Sequence, residues 1–283
     1  MTLRLYRTQY GLARGEGDEL LVLDLPHPDA GSLLRDDIGL ARTAPVRRRL
    51  PLQAEETRLL PPVGTPGKVV LVGLNYRDHA EEAGLALPSS VMFGSIGGDM
   101  VVGAHSSIIL PAEAPDHVDY EAELAVVIGK PGQDIPASQA WSHVAGLTVA
   151  NDVSARDVQF AAMTGGALSD PSGILRSKSF PAFKPIGPAL VTIEEFPQSL
   201  SLRVTTRVNG ELRQDSNTRN MLFSVPEIIA AISASAPLEV GDVILTGTPA
   251  GVGFVSGTYL RPGDVVEVEI EGIGRLRNNV VSA

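Results

Sequence analysis

The chain contains no cysteine among its 283 residues. Disulfides, thiolate nucleophiles, iron–sulfur clusters and zinc–thiolate centres are therefore excluded, and the absence fits a reducing cytosol. Positive charge is also scarce: 23 Lys and Arg face 33 Asp and Glu, a formal net charge of −10. Nucleic acids and anionic membranes require basic patches, so neither is expected as a partner. An anionic small molecule is not excluded, because a metal or a buried lysine reverses the field locally. No apolar run approaches the length of a membrane helix. The opening segment, Met1-Thr2-Leu3-Arg4-Leu5-Tyr6-Arg7, lacks the apolar core of a secretory signal. Internal repeats and low-complexity segments are missing too. The expectation is a soluble cytoplasmic protein.

What is present is β-rich. A hydrophobic content of 43% over this length allows one large domain, or a large one with a small partner. Strand-like patterns occupy residues 3–9 and 19–25, followed by a polar, basic stretch from Leu40 to Arg49 that reads as solvated surface. Pro61-Pro62-Val63-Gly64-Thr65-Pro66-Gly67 reads as a linker, dividing a small segment 1–62 from a larger one, 66–283. Lys68 to Leu74 is a buried strand by its continuous apolar character. Leu202–Val208 ends at Asn209-Gly210, a strong hairpin signal, and Val265–Ile270 ends at Glu271-Gly272. One helix starts near Tyr76. Another opens at Ser224-Val225-Pro226-Glu227, a capping-box pattern, ahead of Ile228, Ile229 and Ile232. With 29 Gly and 21 Pro marking turns and few helices, the fold class is α+β, mainly β.

The most informative residues are Glu121 and Glu123, which lead into the apolar run Leu124 to Gly129. On a strand they share a face. Two carboxylates so placed repel each other, and a divalent cation is one remedy. Asp152, at the end of the apolar run Ala145–Asn151, is a candidate third ligand. An all-carboxylate set suits Mg²⁺, Mn²⁺ or Ca²⁺, whereas zinc recruits His or Cys. The alternative is a solvent-facing glutamate pair on an edge strand. His79 and Glu82, three apart on a helix, are neighbours. A carboxylate beside imidazole fixes its tautomer and readies it to activate water. The alternatives are an incidental surface ion pair, or His79 as a metal ligand. Gln159 can donate to an oxyanion, while Asp152 or Ser154 can cap a helix start. Lys178 matters if the fold brings it to the metal, where it can hold a substrate carboxylate. Thr246 to Gly253 lacks the ending of a phosphate loop; a substrate loop using backbone N–H groups and the Thr248 hydroxyl fits it better.

Taken in order, these segments resemble the fumarylacetoacetate hydrolase family, in the small form that includes acylpyruvate hydrolases and oxaloacetate decarboxylases. The resemblance rests on Val72–His79, Asp119–Leu124, Asn151–Gln159, Lys178-Ser179-Phe180, Pro185–Pro188, Val208–Glu211 and Gly241–Pro249. It implies a mixed β-roll C-terminal domain with a small N-terminal α/β domain, and a homodimer. It also implies Mg²⁺ or Mn²⁺ on Glu121, Glu123 and Asp152, and a lid carrying His79 and Glu82. By that resemblance His79, Glu82 and Lys178 are the catalytic candidates, and Arg77, Gln159 and Thr248 the substrate-binding ones.

Two positions depart from the family pattern. Ser95 stands where members often have Lys, and Pro181 where they often have Asp. The segment Phe160 to Leu175 is also longer than usual. The expected activity is metal-dependent hydrolysis of a C–C bond in a 2,4-dioxo acid. His79 would activate water, Gln159 would stabilise the oxyanion and Lys178 would pair with the small anionic substrate. Decarboxylation of oxaloacetate, isomerase or hydratase chemistry on an unsaturated 2-oxo acid, and a binding protein without catalysis are the alternatives.

Overall fold

The computed structural model describes residues 2–164, 167–168 and 170–283. Part of the long Phe160 to Leu175 segment therefore lies outside the described residues. Among the described residues an eleven-stranded mixed sheet forms the backbone of the molecule. Across it the strands run Val46–Pro51, Glu19–Leu23, Gly11–Glu16, Arg4–Thr8, Lys184–Thr192, Val144–Asn151, Ala122–Ile128, Val243–Leu245, Lys68–Gly73 and Met92–Gly97, with Val101–Val102 beside Lys184–Thr192. A five-stranded sheet packs against it, in the order Glu211–Asn217, Arg203–Val208, Val265–Ile270, Gly274–Ser282 and Ile108–Leu110. The fold is mainly β, as expected.

The continuous apolar runs are explained by burial on both faces. In the central strand Ala122–Ile128 every residue is buried. Leu124, Val126 and Ile128 enter the core shared with Val204, Val268 and Ile270 of the second sheet. Ala125 and Val127 enter a second core on the opposite face, with Leu5, Leu12, Val69 and Leu245. Alternation by two thus serves two cores at once. The run Lys68–Gly73 is buried for the same reason, pairing parallel with Val243–Leu245 and antiparallel with Met92–Gly97.

The turn chemistry holds. Asn209 and Gly210 have φ of 53° and 81°, the pair of positive values that a two-residue hairpin of matching twist requires. Ser224 N–H donates to Glu227 at 2.8 Å, and Ile228, Ile229 and Ile232 are buried on the helix Val225–Ser235 that follows. The first 60 residues do not stand apart from the sheet. Arg4–Thr8 hydrogen-bonds antiparallel to Lys184–Thr192, so strand pairing runs across the division expected at 62–66.

The two ends of the large sheet differ. Val46–Pro51 exposes Arg47, Arg48 and Arg49, with Arg49 paired to Glu19 at 2.8 Å and Arg48 lying over the Tyr10 ring at 4.2 Å. The basic stretch expected as surface is thus an edge strand. Met92–Gly97, at the other end, carries no charge and exposes Met92 and Phe93.

Leu124 is fully buried in the central strand, whereas Leu85 is exposed. Leu124→Ala should cost about 2–5 kcal/mol in urea unfolding, from lost burial and the cavity left behind. Leu85→Ala should stay within about 0.5 kcal/mol of the parent. Equal costs for both would contradict the two-core arrangement.

Candidate active site

Strand register assembles the acidic cluster. Ala122 pairs with Asn151 and Glu123 with Ala150, so the entry of one strand lies beside the exit of the next. Asp152 N–H donates to the Glu121 carbonyl at 2.9 Å, and Glu121 N–H to Asn151 Oδ1 at 3.0 Å. Glu121, Glu123 and Asp152 consequently each offer an oxygen to a common space, all within 4.8 Å of one another. Their exposures are 6%, 2% and 1%, which disposes of the solvent-facing alternative. The strand is interior, between Val144–Asn151 and Val243–Leu245. Nor do Asp152 and Ser154 cap the next helix: Arg156–Ala161 starts from Ala155 without a side-chain cap.

Asp152 is instead occupied by lysines. Lys178 closes the helix Pro171–Ser177, whose start is fixed by Asp170 accepting from Ser172 N–H. Its Nζ lies 2.6 Å from Glu121 Oε2, 2.6 Å from Asp152 Oδ2 and 3.0 Å from Ser154 Oγ. Lys184, the first residue of Lys184–Thr192, places its Nζ 2.8 Å from Asp152 Oδ1. Arg156 completes the cationic set, donating to Asp119 at 2.9 Å, to Glu121 at 2.7 Å and to Gln159 Oε1 at 2.7 Å. Its guanidinium stacks 4.7 Å from the centre of the Phe254 ring.

These partners divide the carboxylates by charge state. Burial would raise the Glu121 carboxyl, but Lys178 and Arg156 outweigh it and bring it down to about 2. Burial pushes Glu123 the other way, well above the ordinary range, and the nearby Asp152 and Glu121 push it further. No cationic side chain among the described residues is within ion-pair distance of Glu123; it is supported by the charge of Lys178 further off and by the Gly247 N–H at 2.6 Å. Burial also opposes the charge on Lys178, yet Asp152 and Glu121 hold it above the ordinary lysine value. Lys184 is lowered by burial, with Asp152 in opposition. Glu123 thus has no ion-pair partner of its own, and Asp152 Oδ1 meets only the Lys184 ammonium. With hard oxygen donors converging from three residues, the cluster fits a hard divalent cation.

The histidine pair forms beside it. On the helix Arg77–Glu82, His79 Nδ1 is 3.1 Å from Glu82 Oε1. A carboxylate can only accept, so Nδ1 carries a proton and Nε2 is the ring nitrogen that Glu82 leaves free for other partners. His79 is near enough to Glu121 to help hold that carboxylate charged, and it meets the Phe254 ring edge-on at 6.0 Å. Both oxygens of Glu82 accept from Gly251 N–H, at 3.0 and 2.9 Å. Gly251 has φ +99°, and a Cβ there would sit 2.0 Å from the Arg213 carbonyl oxygen, so only glycine fits. Asn75 anchors the helix from below, donating to the Thr246 carbonyl at 2.8 Å and accepting from Phe223 N–H at 2.9 Å. Asp78 accepts from the Ser216 hydroxyl.

The remaining candidates divide. Gln159 is half-buried; its oxygen is taken by Arg156, which leaves the amide N–H₂ to donate. Thr248 is buried and accepts from Gln214 Nε2 at 2.9 Å, so its own O–H is available. Arg77 is exposed and has no polar partner among the described residues; it is not brought to the cluster. Ser95 and Pro181, the two departures, are exposed. Three N–H groups of the loop from Thr246 to Gly253, and that of Phe254 beside it, go to the protein's own acids rather than to substrate. Gly247 serves Glu123, Gly251 serves Glu82, and Gly253 and Phe254 serve Asp119 at 2.7 and 3.0 Å. Sequence reasoning passed over Asp119, Arg156, Lys184 and Gln214. Arg156 lay inside a segment already notable for its polarity. Lys184 had no signal beyond being a lysine at the head of an apolar strand.

Residues 68–281 match the family model described as fumarylacetoacetate (FAA) hydrolase, C-terminal. The chain is 41% identical over 280 residues to "Oxaloacetate tautomerase FAHD2B, mitochondrial" of Bos taurus, covering 96% of this chain and 87% of that protein. Among solved structures it is similar to a fumarylacetoacetate hydrolase from Exiguobacterium antarcticum, with 35% identity, TM-score 0.84 and full coverage of both chains (100% and 100%). A 5-carboxymethyl-2-hydroxymuconate delta-isomerase from Mycobacterium smegmatis gives 34% identity and TM-score 0.76, again with 100% coverage of both. The chain belongs to the fumarylacetoacetate hydrolase family.

Proposed function

We propose that this protein is a divalent-metal enzyme that moves protons on a small anionic 2-oxo acid, interconverting the keto and enol forms of an oxaloacetate-like substrate. The observation that carries the reading is the convergence of Glu121, Glu123 and Asp152 beside Lys178, with the His79–Glu82 pair in electrostatic reach. The names of the bovine relative and of the mycobacterial isomerase support proton transfer as the chemistry. Hydrolysis of a C–C bond is the second reading, favoured by the same His–Glu pair and by the likeness to a fumarylacetoacetate hydrolase. A cytoplasmic homodimer remains part of the proposal. No helix among the described residues is long and apolar enough to cross a membrane, and the bovine relative carries "mitochondrial" in its name.

Glu121, Glu123 and Asp152 would hold Mg²⁺ or Mn²⁺, which supplies Lewis-acid polarisation of the 2-oxo group. The rest falls to side chains. Lys178 presents a charged ammonium to the substrate carboxylate or to the oxygen that gains charge. His79 takes the C3 proton at Nε2, and Glu82 holds the tautomer that makes this nitrogen the base. Returning that proton to the substrate oxygen completes the tautomerisation with no water consumed. The Gln159 amide and the Thr248 hydroxyl are donors for substrate oxygens. Phe254 packs against both His79 and Arg156.

His79→Ala should lower kcat/KM for enol–keto conversion of oxaloacetate about 10²–10⁴-fold. The assay follows the loss of enol absorbance with Mn²⁺ present. Wild-type rates in the variant would remove His79 from the mechanism. Run in parallel on acylpyruvates, release of pyruvate at a faster rate than oxaloacetate turnover would favour hydrolysis over the principal reading.

The raised Glu123 carboxyl sets a pH dependence. Its folded pKa lies above the unfolded value of 4.5, so its contribution to stability is full below that pH and is lost as pH rises through the folded value. Metal-stripped protein should therefore lose thermal stability as pH is raised above about 4.5, and saturating Mn²⁺ should restore it most at the higher pH. Glu123→Gln should flatten the slope. A metal-free Tm that climbs with pH in the wild type but not in Glu123→Gln would show the opposite sign and refute the account.

A further inference from the structure

We propose that Lys184 is a positioning residue that sets how tightly the acidic cluster holds its cation and how well the loaded site holds an anion. The inference rests on the metal reading given under Proposed function. Lys184 is fully buried, and its ammonium is aimed from behind by backbone: it donates to the carbonyls of Val153 at 3.2 Å, Phe183 at 3.1 Å and Lys178. Three carbonyls use its three hydrogens. Asp152 Oδ1, 2.8 Å away, faces the same ammonium and has no other polar partner, so it keeps a lone pair for a further ligand.

Lys178 and Lys184 are not equivalent. Lys178 is bound only by side chains, Glu121, Asp152 and Ser154, so a substrate carboxylate can compete for it. Lys184 is bound by the backbone of the segment that carries Lys178, and no substrate can draw it away. It is a fixed charge. Counted together, the carboxylates of Asp119, Glu121, Glu123 and Asp152 face the cations Arg156, Lys178 and Lys184. Once a divalent cation has displaced any proton from Glu123, four carboxylates, three cations and the metal sum to one positive charge. Such a site binds its metal moderately and then attracts an acid anion. Without Lys184 the empty cluster would be more negative by one charge and the loaded one would carry none. Metal would bind more tightly and the anion less well, from the same cause.

The opposite signs provide the test. Full-length protein is stripped with chelator and titrated with Mn²⁺ by calorimetry; the Mn²⁺-saturated protein is then titrated with oxalate, a non-reactive dianion. Lys184→Met should bind Mn²⁺ at least about tenfold more tightly and oxalate at least about fivefold more weakly than wild type. Lys184→Gln, which keeps a donor for the carbonyls but no charge, should shift both affinities the same way and serves if Lys184→Met does not fold. A structural defect would weaken both ligands together, and that result, or affinities within twofold of wild type, overturns the role of Lys184. Failure of the wild type itself to bind Mn²⁺ would instead overturn the metal reading on which the inference rests.

Discussion

Like charges buried at close range are the constraint around which this molecule is organised. Glu121, Glu123 and Asp152 bring oxygens within 4.8 Å of one another in a place almost closed to water. Isolated carboxylates in such a medium would take up protons rather than stay charged. The protein answers with Lys178, Lys184 and Arg156, each drawn from a different position on the segment 156–184 that follows the acidic strands. Those cations cover Glu121 and Asp152 and leave Glu123 uncovered. That asymmetry leaves the cluster fit to receive a further positive charge, where a finished salt-bridge network would not be.

Backbone N–H groups do the remaining positioning. The loop after Val243–Leu245 clamps three separate carboxylates: Glu123 by Gly247, Glu82 by Gly251, and Asp119 by Gly253 and Phe254. One carboxylate faces the cation space, one orients His79, and one holds Arg156. A single stretch of chain thereby fixes the relative placement of acid cluster, base and guanidinium. Glycine at 251 allows the close crossing over Arg213 that this requires.

How much of this could be read from the residues depended on whether the signal was local. Strands such as Lys68–Gly73 and Ala122–Ile128 announced themselves as unbroken apolar runs, and Asn209-Gly210 announced its hairpin. Glu121, Glu123 and Asp152 were legible because each sits at the end of such a run, where register alone brings them together. His79 and Glu82 were legible from helical spacing. Lys184, Asp119 and Gln214 were not, because their importance comes from contacts with residues tens to more than a hundred positions away, and nothing beside them in the chain marks it. Arg77 lies next to the same residues in sequence, and the structure leaves it exposed. The stretch 1–62 was separable on composition, but hydrogen bonding from Arg4–Thr8 to Lys184–Thr192 joins it to the same sheet.

The unequal ends of the large sheet have a consequence for how copies of this chain can meet. Arg47, Arg48 and Arg49 bar the Val46–Pro51 end, since another strand arriving there would bring cation against cation or leave the guanidiniums stranded. The Met92–Gly97 end has no such guard. This sheet therefore offers a twin's strand one edge and no second. Association through that edge alone would close on itself about a twofold axis, without the filament that two open ends of the same sheet would permit.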